Sequence, residues 1–229
     1  MLTEDYIMRM INMAIAALLQ AIGLRKAGEY TQALVTIDQA LEQLTGLRAD
    51  LLLRLDDRAL LNSLSIQGEL DQERAILVAD LCSEQSEVYL AQNRPEAACL
   101  SRVRALTLYL EATADLPIDL PLQEKINQIA LAALECQAPF ETRFALYSYY
   151  ENIGNYVNAG KVIKDLSEDR LYRSEMRQEY VEFFQRLLEK TDAELERGGM
   201  TRSQVEHTLR REGKINTEYD HSDTDQQRQ

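Results

Sequence analysis

The sequence predicts an all-α protein built as a stack of antiparallel helical hairpins, and three observations carry that reading. Apolar residues recur with the helical period of 3.6 over most of residues 4–211. Runs of β-branched residues are almost absent. Gly and Pro number only 9 and 4 in 229 residues, while Leu, Ala, Glu, Gln and Arg, which lose little freedom in a helix, dominate, so no sheet is expected. Finally, one turn pattern occurs three times between helix-period segments: Gly28-Glu-Tyr30-Thr-Gln-Ala33, Asn93-Arg-Pro95-Glu-Ala-Ala98 and Gly154-Asn-Tyr156-Val-Asn-Ala159.

The elements follow in order. Helices are expected at 4–26, 30–44, 48–54, 57–65, 70–92, 95–113, 122–136, 139–153, 156–166, 171–196 and 201–211. In the first, Met8, Met10, Ile11, Met13, Ile15, Leu18, Leu19 and Ile22 cover more than one face, so it must be covered on several sides, within the monomer or by a second chain. Its leading charges are Glu4 and Asp5, and Arg9 and Asn12 interrupt the apolar run, which argues against a secretory signal and against a membrane span. Gly28 can take the left-handed conformation of a helix end. Asp71 is placed to cap the 70–92 helix, and Pro95 sits at a helix start, where its missing N–H costs nothing. Pro117 and Pro121 bracket an extended link, LPIDLP, dividing an N-terminal hairpin stack (1–116) from C-terminal hairpins with a cap (122–211). Gly198-Gly199 ends the 171–196 helix, and Thr201-Arg-Ser-Gln204 reads as a capping box. The terminal segment DAELERGGMTRSQVEHTLRREG (192–213) either caps the last hydrophobic face or forms a detachable docking hairpin. Residues 212–229 lack apolar periodicity and are expected to be a disordered tail.

In each turn, Gly28, Asn93 or Gly154 permits the tight reversal. Ala33, Ala98 and Ala159 are small where two helix backbones approach. Ala40 and Ala105 keep the same face thin seven residues on, and Leu166 departs from that rule. A large residue, Leu24, Tyr89 or Tyr150, stands four positions before each turn residue. On these residues the chain resembles the tetratricopeptide repeat superfamily over roughly 14–44, 79–110 and 140–166. Ala17, Cys82 and Arg143 stand where a large aromatic is common, there is no Trp, and the turns recur at nearly twice the about 34-residue period of a regular array. The resemblance therefore implies a degenerate, right-handed α-solenoid-like stack with extra helices between units. The opening segment and the LDQERAILVADL stretch are also similar to a group of bacterial helical proteins of unknown function. That similarity implies a bacterial, cytoplasmic setting and no activity.

A net charge of −13 disfavours phosphate backbones and anionic membrane surfaces, so neither nucleic acid nor membrane is expected as a partner. Cys82, Cys99 and Cys136 show no zinc-ligand spacing and are expected to be reduced, buried thiols, with Cys82 and Cys99 close across one hairpin. The only histidines are His207 and His221, and no glycine-rich phosphate loop or Glu-x-x-His pair occurs. Asp56 and Asp57 read as capping acids at a helix boundary. No catalytic, metal-binding or cofactor-binding residue is assigned, and an enzyme acting through carboxylates and tyrosines is the remote alternative.

Surface binding is what remains. Solenoids present a concave face lined by the first helix of each hairpin. Asp80, Glu84 and Glu87 recur at helical spacing, as an acidic stripe for a basic peptide or as an ordinary solvated face. Tyr147 and Tyr149, with Phe140 and Phe144 nearby, offer an aromatic patch if exposed, while the repeat match makes Tyr150 structural. Chaperone-binding tetratricopeptide units clamp a carboxylate with Lys and Asn. The matching pairs here, Leu18 and Ile22, Ser83 and Glu87, and Phe144 and Ser148, supply no such charge. The sequence thus reads as a non-enzymatic interaction module or scaffold for a protein or peptide. The alternative is a self-assembling structural protein, a homodimer through the N-terminal helix.

Overall fold

The ends of the helices are where local chemistry sets the fold. The computed structural model describes residues 2–114 and 119–211, with only the helical backbone for 2–7. The elements are α1 (Leu2–Lys26), α2 (Tyr30–Thr45), α3 (Ala49–Leu52), α4 (Asp57–Ser63), β1 (Ser65–Ile66), β2 (Glu69–Leu70), α5 (Gln72–Ala91), α6 (Pro95–Thr113), α7 (Leu120–Glu135), α8 (Phe140–Asn152), α9 (Tyr156–Glu168), α10 (Arg173–Leu188) and α11 (Asp192–Arg197). A last helix, α12, covers 202–211.

The three repeated turns share one geometry. Gly28, Asn93 and Gly154 all have positive φ, 79°, 58° and 73°. The next residue donates its N–H to the carbonyl five positions back: Glu29 to Leu24, Arg94 to Tyr89 and Asn155 to Tyr150, at 2.8–2.9 Å. The turn residue itself bonds three back, to Arg25, Leu90 and Glu151. This is the double bond of a Schellman motif, which satisfies carbonyls that the helix end leaves open. The large residues expected before each turn are therefore the ones whose carbonyls close it. Gly199 repeats the pattern, with Met200 donating to Leu195.

N-caps behave as the side chains dictate. Asp56 accepts from the Ala59 N–H and Asp71 from that of Arg74, and Thr201 with Gln204 exchanges the two bonds of a capping box. A second capping box, Thr191 with Glu194, splits the single helix expected over 171–196 into α10 and α11. A further correction concerns the expected absence of strand. Gln67 and Gly68, both at positive φ, form a two-residue reversal that pairs Ser65 with Leu70 and Ile66 with Glu69. Two-residue strands are too short for periodicity to show.

The chain divides into two compact units, Met1–Thr142 and Arg143–Gln229. In the first, α5 packs against α1, α2 and α6, and α6 packs on α7. Ala33, Ala40, Ala98 and Ala105 are buried where the helices meet, as their size requires. Buried Arg104 of α6 holds the Asp57 carboxylate at 2.6 Å and the Leu53 and Leu55 carbonyls, fixing the α3–α4 link. In the second unit α9 packs on α10, and Ala159, Val162, Ile163 and Leu166 meet Phe183, Phe184 and Leu187 in its core. Gly198 is required there, since a Cβ would lie 2.6 Å from the Gly154 carbonyl oxygen and against the Tyr156 ring. Of the LPIDLP link, residues 116–118 lie outside the described residues, as does the tail over 212–229.

The cysteines depart from expectation. Cys99 of α6 is disulfide-bonded to Cys136, the residue that ends α7, across a separation of 37 residues. The pair lies about four turns either side of the α6–α7 link, so two packed helices bring them level. Cys82 is the free thiol, buried, and burial pushes its pKa up to about 12. Titration of thiols should find none reactive in the native protein and one after unfolding without reductant; three would contradict the pairing. Replacing Cys99 and Cys136 by Ser should lower stability by about 2–4 kcal/mol in denaturant titration, the range for closing a loop of this length.

Candidate functional site

Helices α1, α5, α6 and α7 leave a cavity of about 350 Å³ between them. One side is aliphatic: Leu18 and Ile22 of α1 with Ile129 and Ala132 of α7. The other carries Asp80, Glu84 and Glu87, the acids expected to form a stripe along α5. They do share a face, as positions three and four apart on a helix must. They are not an unopposed acidic surface, because each meets a cation from a different helix.

Asp80 accepts from Lys125 Nζ at 2.7 Å and from the Tyr109 hydroxyl at 2.5 Å. Glu84, only 7% exposed, is held bidentately by Arg25, with Nε at 2.6 Å and Nη2 at 3.1 Å. That bond holds the Arg25 pKa above its ordinary value. Glu87 meets Arg102 at 3.4 Å, a long contact, and the buried Nε of Arg102 has no partner among the described residues. Burial, reinforced by Asp80, raises the Tyr109 pKa and keeps its hydroxyl a proton donor. Three acids therefore face three bases beside an aliphatic wall. The Arg25–Glu84 pair has the most buried carboxylate, while each of the other two pairs has one partner open to water, Lys125 at 52% and Glu87 at 46%.

Tyr147 and Tyr149 are placed elsewhere, and not as an exposed patch. Their exposure is 2% and 7%, so both are buried. Tyr147 packs edge-on to Phe183, donates to Glu179 Oε1 at 2.6 Å and accepts from Arg186 Nη2 at 2.7 Å. Arg186 also clamps Glu151 bidentately, at 2.8 and 3.0 Å, which raises its pKa. The cluster ties α8 to α10. Tyr149 differs, since its buried hydroxyl has no partner among the described residues, and burial pushes its pKa up to about 12. Tyr150 is buried, as the turn pattern expects.

Sequence reasoning missed the partners Arg25, Arg102, Tyr109 and Lys125, which lie 15 to 59 residues from the acids they meet. The signal available was generic: bases on helices flanking an acidic face. Among the described residues no group of three or more His, Cys, Asp or Glu is placed to hold a metal ion, and no helix is long and apolar enough to cross a membrane. His221 lies outside the described residues.

Fold and cavity define an all-helical hairpin protein with ion pairs set against an aliphatic wall. The chain belongs to DUF6483, a family of unknown function, whose model matches residues 1–216. Neither a curated protein nor a solved structure matches it.

The two tyrosines make a matched test. Tyr147→Phe removes a hydroxyl bonded to a carboxylate and a guanidinium and should cost about 1–3 kcal/mol in unfolding. Tyr149→Phe removes an unsatisfied buried hydroxyl and should be neutral or stabilising by up to about 1 kcal/mol. Equal losses would mean that the Tyr149 hydroxyl has a partner.

Proposed function

We propose that this protein is a non-enzymatic interaction module whose hairpins are degenerate tetratricopeptide-like units, and that its cavity takes a short segment of a partner protein. The observation that carries this reading is that two of the cavity's ion pairs each have one exposed member, Lys125 and Glu87, beside a ready aliphatic wall. A basic side chain can replace Lys125 on Asp80 or Arg102 on Glu87, because an exposed lysine gives up little on leaving an ion pair and the Arg102 contact is long. An adjacent aliphatic side chain then covers Leu18, Ile22 and Ile129, removing apolar area from water at about 25 cal/mol per Å². The Glu84–Arg25 pair stays in place, since breaking a buried pair costs about 3–5 kcal/mol. The shared left-handed turns and the buried Ala33, Ala98 and Ala159 support the hairpin reading.

Selection from a displayed random-peptide library should enrich segments that pair Arg or Lys with a neighbouring aliphatic residue. Asp80→Asn with Glu87→Gln should weaken the selected peptides at least about tenfold. Enrichment of nothing, or of peptides indifferent to the substitutions, would remove the reading.

A second reading is self-assembly as a homodimer. Met8, Ile15 and Leu19 lie on one face of α1, and Met8 and Leu19 are 62% and 65% exposed. Large apolar side chains aligned on an exposed helix face favour association. Light scattering should then give twice 26.2 kDa for the intact chain and one mass for Met8→Glu/Leu19→Glu. A strict monomer at high concentration would dismiss this second reading and leave the first standing.

A further inference from the structure

The second unit contains a groove of about 550 Å³ between α9 and α12. Its floor is apolar, built from the Phe184 ring and the Met200 thioether. Gly160 lets that floor lie against the α9 backbone, since a Cβ there would come within 3.0 Å of Met200 Cε and 3.7 Å of Phe184 Cζ. Phe184 is buried and Met200 half-buried, and the unbranched Met side chain adapts to what is laid on it.

The walls offer donors. Lys161 and Lys164 stand three apart on α9 and so share one face. Both are exposed, and neither makes an ion pair among the described residues. Asp165, in reach of Lys161 by its spacing, is held instead by Arg143 at 2.8 Å. On α12, Gln204 spends Oε1 on the capping bonds with Thr201, which leaves its amide N–H groups for the groove. Among the described residues no carboxylate lines the groove, in a chain with 38 acids against 25 bases.

We propose that this groove is a second docking site, for a segment of a partner protein that carries a large apolar side chain flanked by Asp or Glu. Charge complementarity selects that occupant. A small anion gains little from exposed ammonium groups, which are strongly hydrated and screened. A purely apolar segment leaves the lysines and the Gln204 amide without acceptors. An apolar anchor over Phe184 and Met200 removes apolar area from water and carries the flanking carboxylates to the lysines in the same step. At physiological salt the screening length is ~8 Å, so the net negative charge of the rest of the chain opposes the approach only weakly. The chemistry is the reverse of that proposed for the first unit's cavity, where the protein supplies the acids. The two sites therefore take different segments.

The full-length chain carrying Asp80→Asn/Glu87→Gln, which disables the first cavity, serves as bait for a displayed random-peptide library. Selection should enrich segments that set Asp or Glu beside Leu, Met, Phe or Tyr. Made synthetically, these peptides should bind at least about tenfold more weakly to the chain with Lys161→Glu/Lys164→Glu added, and by a smaller factor with Lys161→Gln/Lys164→Gln. Circular dichroism should show an intact fold in both. Replacing the peptide's apolar residue by Ala should also weaken binding at least about tenfold. Failure to enrich acidic segments, or affinity indifferent to both lysine variants, would overturn the proposal. So would full affinity in the Ala-substituted peptide, which would reduce the site to surface charge. Lysine-dependent binding to phosphatidylserine–phosphatidylcholine vesicles without enrichment of acidic peptides would overturn it in favour of a lipid surface.

Discussion

Helix α5 is surrounded, and the first unit depends on satisfying what it buries. A helix with one apolar face needs neighbours on one side only. This one packs against α1, α2 and α6, and it carries a buried polar run, Glu84-Gln85-Ser86. Each member must find a partner or forfeit the free energy of an unmade bond. Arg25 of α1 takes Glu84. Gln85 donates to Asp38 of α2 and accepts from Ser101 of α6, and Ser86 returns its hydroxyl to the Ser83 carbonyl. Three helices are thereby set in register against the fourth by directional bonds, where apolar packing alone would tolerate sliding. Asp80, one turn earlier, extends the same arrangement to Tyr109 and Lys125.

The turns supply the other half of the specification, and they were the most legible part of the sequence. A left-handed residue, a carbonyl four back and a small residue five on are all local requirements, so Gly28, Asn93 and Gly154 announce them without knowledge of the fold. Caps at Asp71 and Thr201 were legible for the same reason. The Thr191 box was not, because its helix-period surroundings run through it unbroken. The Cys99–Cys136 pairing depends on how α6 and α7 align, which no local rule states, and so the nearer-looking Cys82 drew attention instead.

The candidate site was half legible. Spacing placed Asp80, Glu84 and Glu87 on one face, which is where they are. What that face means depends on Arg25, Arg102 and Lys125, contributed by three other helices, and charge neutralisation across helices leaves no trace in the periodicity of any one of them. The reading of Tyr147 and Tyr149 erred in the opposite sense. Tyrosines in a cluster look like a surface, yet Tyr147 is an interior residue because Glu179 and Arg186 match its hydroxyl there. A polar tip permits exposure but does not require it.

The bond between Cys99 and Cys136 has a topological effect separate from any gain in stability. It makes the stretch containing most of α6, the link and all of α7 into a closed ring. A single backbone cleavage anywhere in that ring leaves one covalent molecule, with the Cys82 side of the chain still tethered to the second unit. Protease nicking there would go unseen on a denaturing gel until the disulfide was reduced, and the two pieces of the first unit would stay at high local concentration after its main chain had been cut.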